Sequence, residues 1–445
     1  MKLRPVVLAA LLASPSLALA QPGAVPTPPP PPQNPAPAAP AAGARVLSMA
    51  EAVDIALRQQ PSLRQSRAQL EASKGRIDQV RASQKPNVTL SASASVGGGG
   101  SQRDFIDPSW NSAIGASASW RITDFGQTGA QLRAARASSE ASAAGVNTTT
   151  LDVRYGVESS YLEAVARARL VTVAEATVKS EEAHLDQAKR FVAAQAKDPI
   201  EVVQAQARAA NARAALAQAQ SQAAIAVANL RASIGWVDPT QQIAVAATWP
   251  EPPSEPPPAL PSLVESARSH RPEIIELDKQ VAAADANIDA ARAERRPVLS
   301  ANAQTQWSPG TNDINPQPAW SAGLSLSWQL FDGGRSAADV RVARANRESA
   351  LAQRDQLLLD LTSQLDGNRA QIDANREATS SSNEAVLAAR AQLKLAEARY
   401  AQGLGSQIEL ADAQTAVTTA EGNLIQSEFQ LATAWAALNR SLGGL

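Results

Sequence analysis

The sequence predicts a mainly α protein with a membrane β part, built as a duplicated protomer. Three observations support this fold class, the first being that the two halves of the 445-residue chain match at an almost constant offset. Four segments of about ten residues alternate between apolar and polar side chains, as expected of strands that cross a bilayer. Residues 109–198 and 319–445 contain no proline and are long enough for coiled-coil helices. We therefore expect four transmembrane strands and long coiled-coil helices.

The N-terminal segment has the pattern of a secretory signal peptide. A short basic start precedes an apolar run from Val6 to Leu12, and an Ala-x-Ala site ends at Ala20. We assign residues 1–20 to this signal and the Pro/Ala-rich residues 21–44 to a disordered linker. No apolar run of about 18 residues follows, so no transmembrane helix is expected.

The duplication is visible in matched residues. Pro61 and Pro272 are 211 positions apart, whereas Trp120 and Trp328 are 208 apart. The three-residue change lies between Pro86 and Trp120, where a loop is expected. We divide the mature chain into a first repeat at 45–236, a Pro-rich inter-repeat segment at 237–261 and a second repeat at 262–445.

The alternating segments form two pairs, one in each repeat. The predicted strands are about 87–96, 112–122, 298–307 and 321–330. Five of the eight Trp residues lie in or beside them, as in the aromatic girdles of outer-membrane barrels. Four strands cannot close a barrel, so several chains would have to share one. The alternative is two hairpins of a soluble sandwich with Trp in its core.

Long helical stretches flank the strands. Each repeat opens with a helical pattern, at 48–84 and at 262–295, that contains one proline and is expected to break there. After the strands, residues 127–196 and 335–401 would each form a helix roughly 100 Å long, at about 1.5 Å per residue. Each long helix then turns and returns as a helix of about 35 residues with a heptad stripe.

The composition disfavours most chemistry. Lys and Arg total 41 and Asp and Glu total 42, so a basic nucleic-acid surface is not expected. The chain contains no Cys, which removes disulfides, thiolate metal sites and a Cys nucleophile. His184 and His270 have no partners at metal-ligand spacing, and we interpret both as surface or packing residues. We expect no catalytic residue, no cofactor and no metal.

Several short motifs resemble the TolC-like outer membrane efflux family. They are the repeat start Val46–Ala52, the strand end Leu330–Gly334, the turn Tyr400–Gly403 and the helix start Glu409–Gln414. The resemblance covers about 45–445 and occurs in both repeats. It implies a homotrimer whose strands form a 12-stranded β-barrel in the outer membrane. Its helices would continue this barrel as a 12-helix α-barrel in the periplasm, with 237–261 in an equatorial region.

The resemblance also implies a function. It is a passive exit duct of a tripartite efflux pump or type I secretion system in a Gram-negative bacterium, gated at its periplasmic end. The implied partners are a periplasmic adaptor, an inner-membrane pump and outer-membrane lipid, with no nucleic acid and no enzymatic activity. The alternatives are a periplasmic adaptor (membrane fusion) protein, which has one helical hairpin and no such duplication, and a secreted coiled-coil structural protein, which needs no alternating strands.

Candidate site residues follow from the same resemblance. The family lines its periplasmic mouth with carboxylates after the second helix turn, and the matching positions are Glu409 and Asp412, three apart on one helical face. Glu201 is the first-repeat counterpart of Glu409, and Tyr400 is a candidate plug or hydrogen-bond partner. Ordinary solvated helix carboxylates are the alternative interpretation. The turns that an adaptor would touch contain Ala194, Gln195, Gly403, Leu404 and Gly405.

Overall fold

The computed structural model describes most of the chain after the predicted signal peptide and linker. The described residues are 45–99, 107–236, 243–246, 249, 255–308 and 318–444. Residues 1–20, residues 21–44 and most of the 237–261 segment lie outside them, so the predictions for these segments stay predictions.

The two repeats contain the same elements in the same order. The first repeat comprises β1 (Arg45–Leu47), α1 (Met49–Gln59), α2 (Pro61–Ala82), β2 (Asn87–Gly99), β3 (Asp107–Thr123), α3 (Gln127–Ala193) and α4 (Ile200–Ile234). The second comprises β4 (Ile243–Val245), α5 (Leu260–His270), α6 (Pro272–Ala293), β5 (Val298–Trp307), β6 (Ala319–Ser327), α7 (Arg335–Ala401) and α8 (Gln407–Ser441). The duplicated, mainly α fold with a β part is therefore confirmed.

Proline determines where the first helices of each repeat end. α1 ends at Gln59 and α2 begins at Pro61, while α5 ends at His270 and α6 begins at Pro272. Proline lacks an N–H and has a fixed φ, so it is tolerated at the first position of a helix but not in its interior. The helical patterns therefore break where the sequence places these prolines.

The four long strands form one antiparallel sheet in the order β2-β3-β5-β6. β3 pairs with β5, so the sheet is continuous across the two repeats. Strands β2 and β3 extend beyond their alternating segments, because backbone pairing continues from Val96 opposite Trp110 to Gly99 opposite Asp107. Alternation of side chains did not reveal this extension, since backbone hydrogen bonds do not require an apolar pattern.

One face of the sheet is apolar and exposed. Its large side chains include Val88, Leu90, Trp120, Leu324 and Leu326. The other face carries hydroxyl and amide groups, among them Ser91, Ser117, Asn302, Gln304 and Ser325, together with Arg121. This arrangement suits a sheet with lipid on one side and water on the other.

Equivalent contacts in the two repeats verify their alignment in three dimensions. The Trp120 indole N–H donates a 3.0 Å hydrogen bond to the carbonyl of Gln84, and the Trp328 indole N–H donates one of 3.0 Å to the carbonyl of Arg295. The tryptophans are 208 positions apart and their acceptors 211 apart. The offsets read from the sequence therefore relate positions that are also equivalent in the fold.

One ion pair occurs in both repeats with its acidic and basic residues exchanged between the helices. Glu182 of α3 pairs with Arg213 of α4 at 2.6 Å, and Arg390 of α7 pairs with Glu421 of α8 at 2.6 Å. Each residue and its counterpart are 208 positions apart. The ion pair that joins the long helix to the returning helix is thus retained in both repeats with its charges exchanged.

None of the described helices is both long enough and apolar enough to cross a membrane.

Candidate functional site

The two helix turns lie side by side at one end of the long helices. The Lys197 ammonium, in the turn between α3 and α4, donates a 3.4 Å hydrogen bond to the carbonyl of Gly405, in the turn between α7 and α8. The Gln407 side-chain amide donates one of 2.9 Å to the carbonyl of Glu201. These contacts join the hairpin of the first repeat to the hairpin of the second.

Tyr400 is buried where the hairpins meet. Its hydroxyl donates a 2.9 Å hydrogen bond to Oε2 of Glu201, and only 1% of the residue is exposed. The Phe191 ring lies edge-on to the Tyr400 ring, with centroids 5.6 Å apart. The Lys197 ammonium lies 5.3 Å from the centroid of the same ring, within the range of a cation–π contact. The ring is therefore fixed by groups from three segments.

The Glu201 carboxylate is shared by two donors. Besides the Tyr400 hydroxyl it faces the Lys197 ammonium at 3.5 Å, and both members of this ion pair are largely buried. Burial raises the pKa of Tyr400 to about 12, and its hydrogen bond to Glu201 and the charge of that carboxylate act in the same direction. The hydroxyl therefore stays protonated at neutral pH and can act as the donor that links α7 to α4.

Gln407 and Arg208 extend this link to α8. The Arg208 guanidinium donates a 3.1 Å hydrogen bond to the carbonyl of Gln407, whose side chain is buried. The buried Gln407 Oε1 has no hydrogen-bond partner among the described residues. The start of α8 is thus held against α4 by hydrogen bonds in both directions.

Glu409 and Asp412 lie outside this network. The Glu409 carboxylate pairs at 3.3 Å with Arg399 of the adjacent helix, and its backbone N–H is capped by the Ser406 hydroxyl at 3.1 Å. Asp412 is exposed and borders the groove between α7 and α8. No described hydrogen bond or ion pair connects either carboxylate to Tyr400 or Glu201. Of the four predicted constriction residues, the structure brings together Tyr400 and Glu201.

The two turns share a left-handed residue at equivalent positions but differ in that residue and in the backbone that leads into the returning helix. Gln195 adopts a left-handed conformation with φ +57°, and Gly403, at the equivalent position, has φ +75°. Gly403 adopts it without penalty, whereas Gln195 adopts a conformation that costs a non-glycine residue about 1–2 kcal/mol. Ala194 and Leu404 are exposed in these turns, while Gly405 is buried against the last turn of α7. The exposed side chains are accessible to a partner.

Several residues of this network were not predicted from the sequence. Lys197 lies four positions before Glu201, but it lies in the turn before α4, so the spacing of residues on a helix did not predict their ion pair. Phe191 and Gln407 were not predicted either, because each contacts a residue of the other hairpin. Phe191 contacts Tyr400, and Gln407 contacts Glu201.

A second set of polar contacts lies deeper between α3 and α8. The Ser180 hydroxyl donates a 2.8 Å hydrogen bond to Oε1 of Gln414 and lies 3.1 Å from Nε2 of His184. Burial lowers the pKa of His184 below its ordinary value, and the Arg208 charge lowers it further. The charges of Glu181 and Glu397 oppose this effect. His184 is partly buried among these side chains, and its neutral form is favoured.

Comparison with known proteins identifies the family. The Outer membrane efflux protein family matches residues 52–236 and 263–444, once in each repeat. The chain belongs to this family. As an outer membrane efflux protein it is located in the outer membrane, which confirms both the resemblance and the predicted location. This membership favours an exit duct over the adaptor and the secreted coiled-coil protein.

Individual relatives agree with this assignment. The chain is 31% identical to protein CyaE of Bordetella pertussis, over 71% of this chain and 65% of CyaE. It is 28% identical to the pyoverdine export outer membrane protein OpmQ of Pseudomonas aeruginosa, over 77% of this chain and 72% of OpmQ. The structure of the outer-membrane channel OprN superposes with a TM-score of 0.72 at 25% identity, covering 89% of this chain and 90% of OprN.

We expect the end of the hairpins that contains His184 and the two turns, here called the tip, to respond to pH. A histidine whose pKa is lowered in the folded state stabilises that state above its ordinary pKa of 6.5, and this stability is lost as the pH falls through 6.5 towards the lowered value. We expect hydrogen exchange of the tip amides to be faster at about pH 5.5 than at about pH 7.5, after correction for intrinsic rates. His184→Gln should reduce this difference; the same pH dependence in the variant would contradict the prediction.

Proposed function

We propose that this efflux protein is a passive duct, gated at its periplasmic end, through which an inner-membrane pump exports solutes. The supporting observation is an open sheet, apolar on one face and polar on the other, followed in each repeat by a helix of 67 residues. The duct performs no chemistry of its own; it serves an efflux pump or a type I secretion system. The predicted signal peptide at residues 1–20 would direct the chain to export.

The membrane part is a barrel shared by three chains. Strands β2 and β6 form the two edges of the four-stranded sheet, and an open edge cannot be exposed to lipid because its N–H and C=O groups would lack partners. Three chains supply twelve strands, enough to close a barrel in which the apolar face contacts lipid and the Ser, Asn and Gln face lines a water-filled lumen.

The helices continue this duct into the periplasm. A helix of 67 residues is roughly 100 Å long at about 1.5 Å per residue, a length suited to a tube and not to a globular domain. The turns at its far end are the proposed contact with a periplasmic adaptor. Leu404 and Ile408 are exposed there, at 72% and 61%, and supply apolar area for that contact.

The proposed gate is the bond between Tyr400 and Glu201. It joins two hairpins that must separate if the periplasmic end is to widen, and Lys197 strengthens it by facing the same carboxylate. A hydrogen bond to a charged group contributes about 1.5–3 kcal/mol, and a trimer would hold three copies. The closed end would therefore be stable until an outside force, such as a docked adaptor, compensates for these bonds.

The assembly itself is the first test. We expect the full chain, expressed with its signal peptide, to be recovered from outer-membrane fractions as a trimer that dissociates on heating. Native mass and electrophoresis of heated and unheated samples measure this. A monomer found in the soluble fraction would refute the duct.

The gate is tested by removing the bond without removing the ring. Tyr400→Phe, which removes the donor, and Glu201→Ala, which removes the acceptor, should each raise single-channel conductance in planar bilayers, and the double variant should match the larger single effect because one bond is lost. Asp186→Asn is the matched control, since its exposed carboxylate pairs with Lys189 on the same hairpin. Conductance unchanged in both single variants would exclude this bond from the gate.

The carboxylates after the second turn are proposed to line the mouth. In a trimer, Glu409 and Asp412 would each form a ring of three negative charges, which attracts cations. We expect Glu409→Ala combined with Asp412→Ala to weaken block of the channel by divalent cations. Asp54→Ala, in the distant helix α1, is the control. If block by divalent cations persists in the double variant, neither carboxylate lines the pore.

A further inference from the structure

The internal duplication allows the surface between neighbouring chains to be read from contacts inside one chain. We propose that α2 of one chain packs against α7 of a second copy, with an ion pair between Asp78 of the first and Arg341 of the second. This proposal rests on the proposed assembly of several chains and specifies the surface by which they associate.

The packing of the short helices differs between the repeats. α6 lies between two long helices, α7 of its own repeat and α3 of the other repeat. α2, its counterpart, packs against α3 of its own repeat, and no extensive contact with the second long helix is present in the described chain. The contact that α2 lacks corresponds to the contact between α6 and α3. Because α2 is the counterpart of α6 and α7 is the counterpart of α3, the contact that α2 lacks is one with α7, which a second copy can supply.

Burial at equivalent positions locates the uncovered face. On α6, Ala283, Ala286, Ala290 and Ala293 are buried, with 3–7% of each exposed. Their counterparts on α2, at an offset of 211, are exposed: Ala72, Gly75, Gln79 and Ala82. On the long helices, Ala134 of α3 is 6% exposed, while its counterpart Val342 of α7 is 58% exposed. Each helix therefore leaves open the face that its counterpart buries.

Charge complementarity fixes the register of the two faces. Within the chain, Arg133 of α3 pairs with Asp289 of α6 at 3.0 Å. The offsets of 208 and 211 convert this pair into Arg341 of α7 and Asp78 of α2, so both charges are retained. Arg341 is exposed, and Asp78 is an exposed carboxylate whose described ion pair is with Arg81, three residues away on its own helix. Both groups are free to meet across an interface between chains.

A neighbouring ion pair provides an internal control. Glu140 of α3 pairs with Lys279 of α6 at 2.7 Å. The counterparts are Glu348 and Ala68, which cannot form an ion pair. The proposed interface therefore retains the counterpart of the Arg133–Asp289 pair and lacks the counterpart of the Glu140–Lys279 pair. A charge change at Glu348 should consequently affect assembly less than one at Arg341.

A second copy of this chain fits this surface better than an unrelated partner or lipid. The exposed α2 face has small side chains that allow close approach of a helix, and a carboxylate that lipid would not pair. The helix that carries the matching Arg and an exposed apolar side chain, Val342, is α7, by the same relation that matches α3 to α6. The internal interface is thus a template for the external one.

Charge exchange tests the ion pair. In the full chain purified in detergent, Asp78→Arg and Arg341→Asp should each lower the temperature at which the oligomer dissociates, because each places like charges together. The double variant should restore the temperature towards that of the unchanged protein, and Glu348→Arg should leave it nearly unchanged. Single variants equal to the unchanged protein, or a double variant no better than either single one, would refute the pair.

Crosslinking tests the surface independently of stability. The chain contains no Cys, so Asp78→Cys combined with Arg341→Cys introduces the one pair of thiols. A short bis-maleimide should convert this variant into covalent oligomers on a denaturing gel, whereas Asp78→Cys combined with Glu265→Cys, on the outer part of α5, should stay monomeric. An oligomer that is intact by native mass but gives no crosslink would refute this interface and leave the duct standing. An unchanged protein that is monomeric would refute both.

Discussion

The hydrogen-bonding requirement of the sheet edges constrains the whole molecule. In a bilayer no water is present to satisfy the N–H and C=O groups of an edge strand, so a four-stranded sheet cannot exist there alone. The other described elements are helices and the short paired strands β1 and β4, and none of them pairs with these edges. Association of chains is therefore a condition of the membrane fold, and the helices follow the symmetry that the strands impose.

The duplication explains why much of the fold could be predicted from sequence. Apolar periodicity and proline act locally, so the order of the helices and the four long strands, and the breaks before Pro61 and Pro272, could be predicted from the sequence, whereas the short strands β1 and β4 were not predicted. The extension of the strands through Gly99 was not predicted either, because it depends on pairing with the opposite strand.

The candidate site was predictable as residues and not as contacts. Tyr400 and Glu201 were both identified, yet nothing in the sequence relates one to the other, since they are 199 positions apart in different repeats. Glu409 was paired with Asp412 by helical spacing, whereas the structure gives it Arg399 as its partner across the turn. Spacing predicts neighbours on one helix well. Contacts between hairpins depend on how the helices pack.

The exchanged ion pairs have a consequence for folding fidelity. Two nearly identical helical hairpins in one chain invite the long helix of one repeat to pair with the returning helix of the other. Such mispairing would place Glu182 against Glu421 and Arg390 against Arg213, so that like charges meet at both positions. Each exposed pair contributes only about 0–1 kcal/mol when correctly made. Its greater effect is that a helix which selects the wrong repeat meets repulsion in place of attraction.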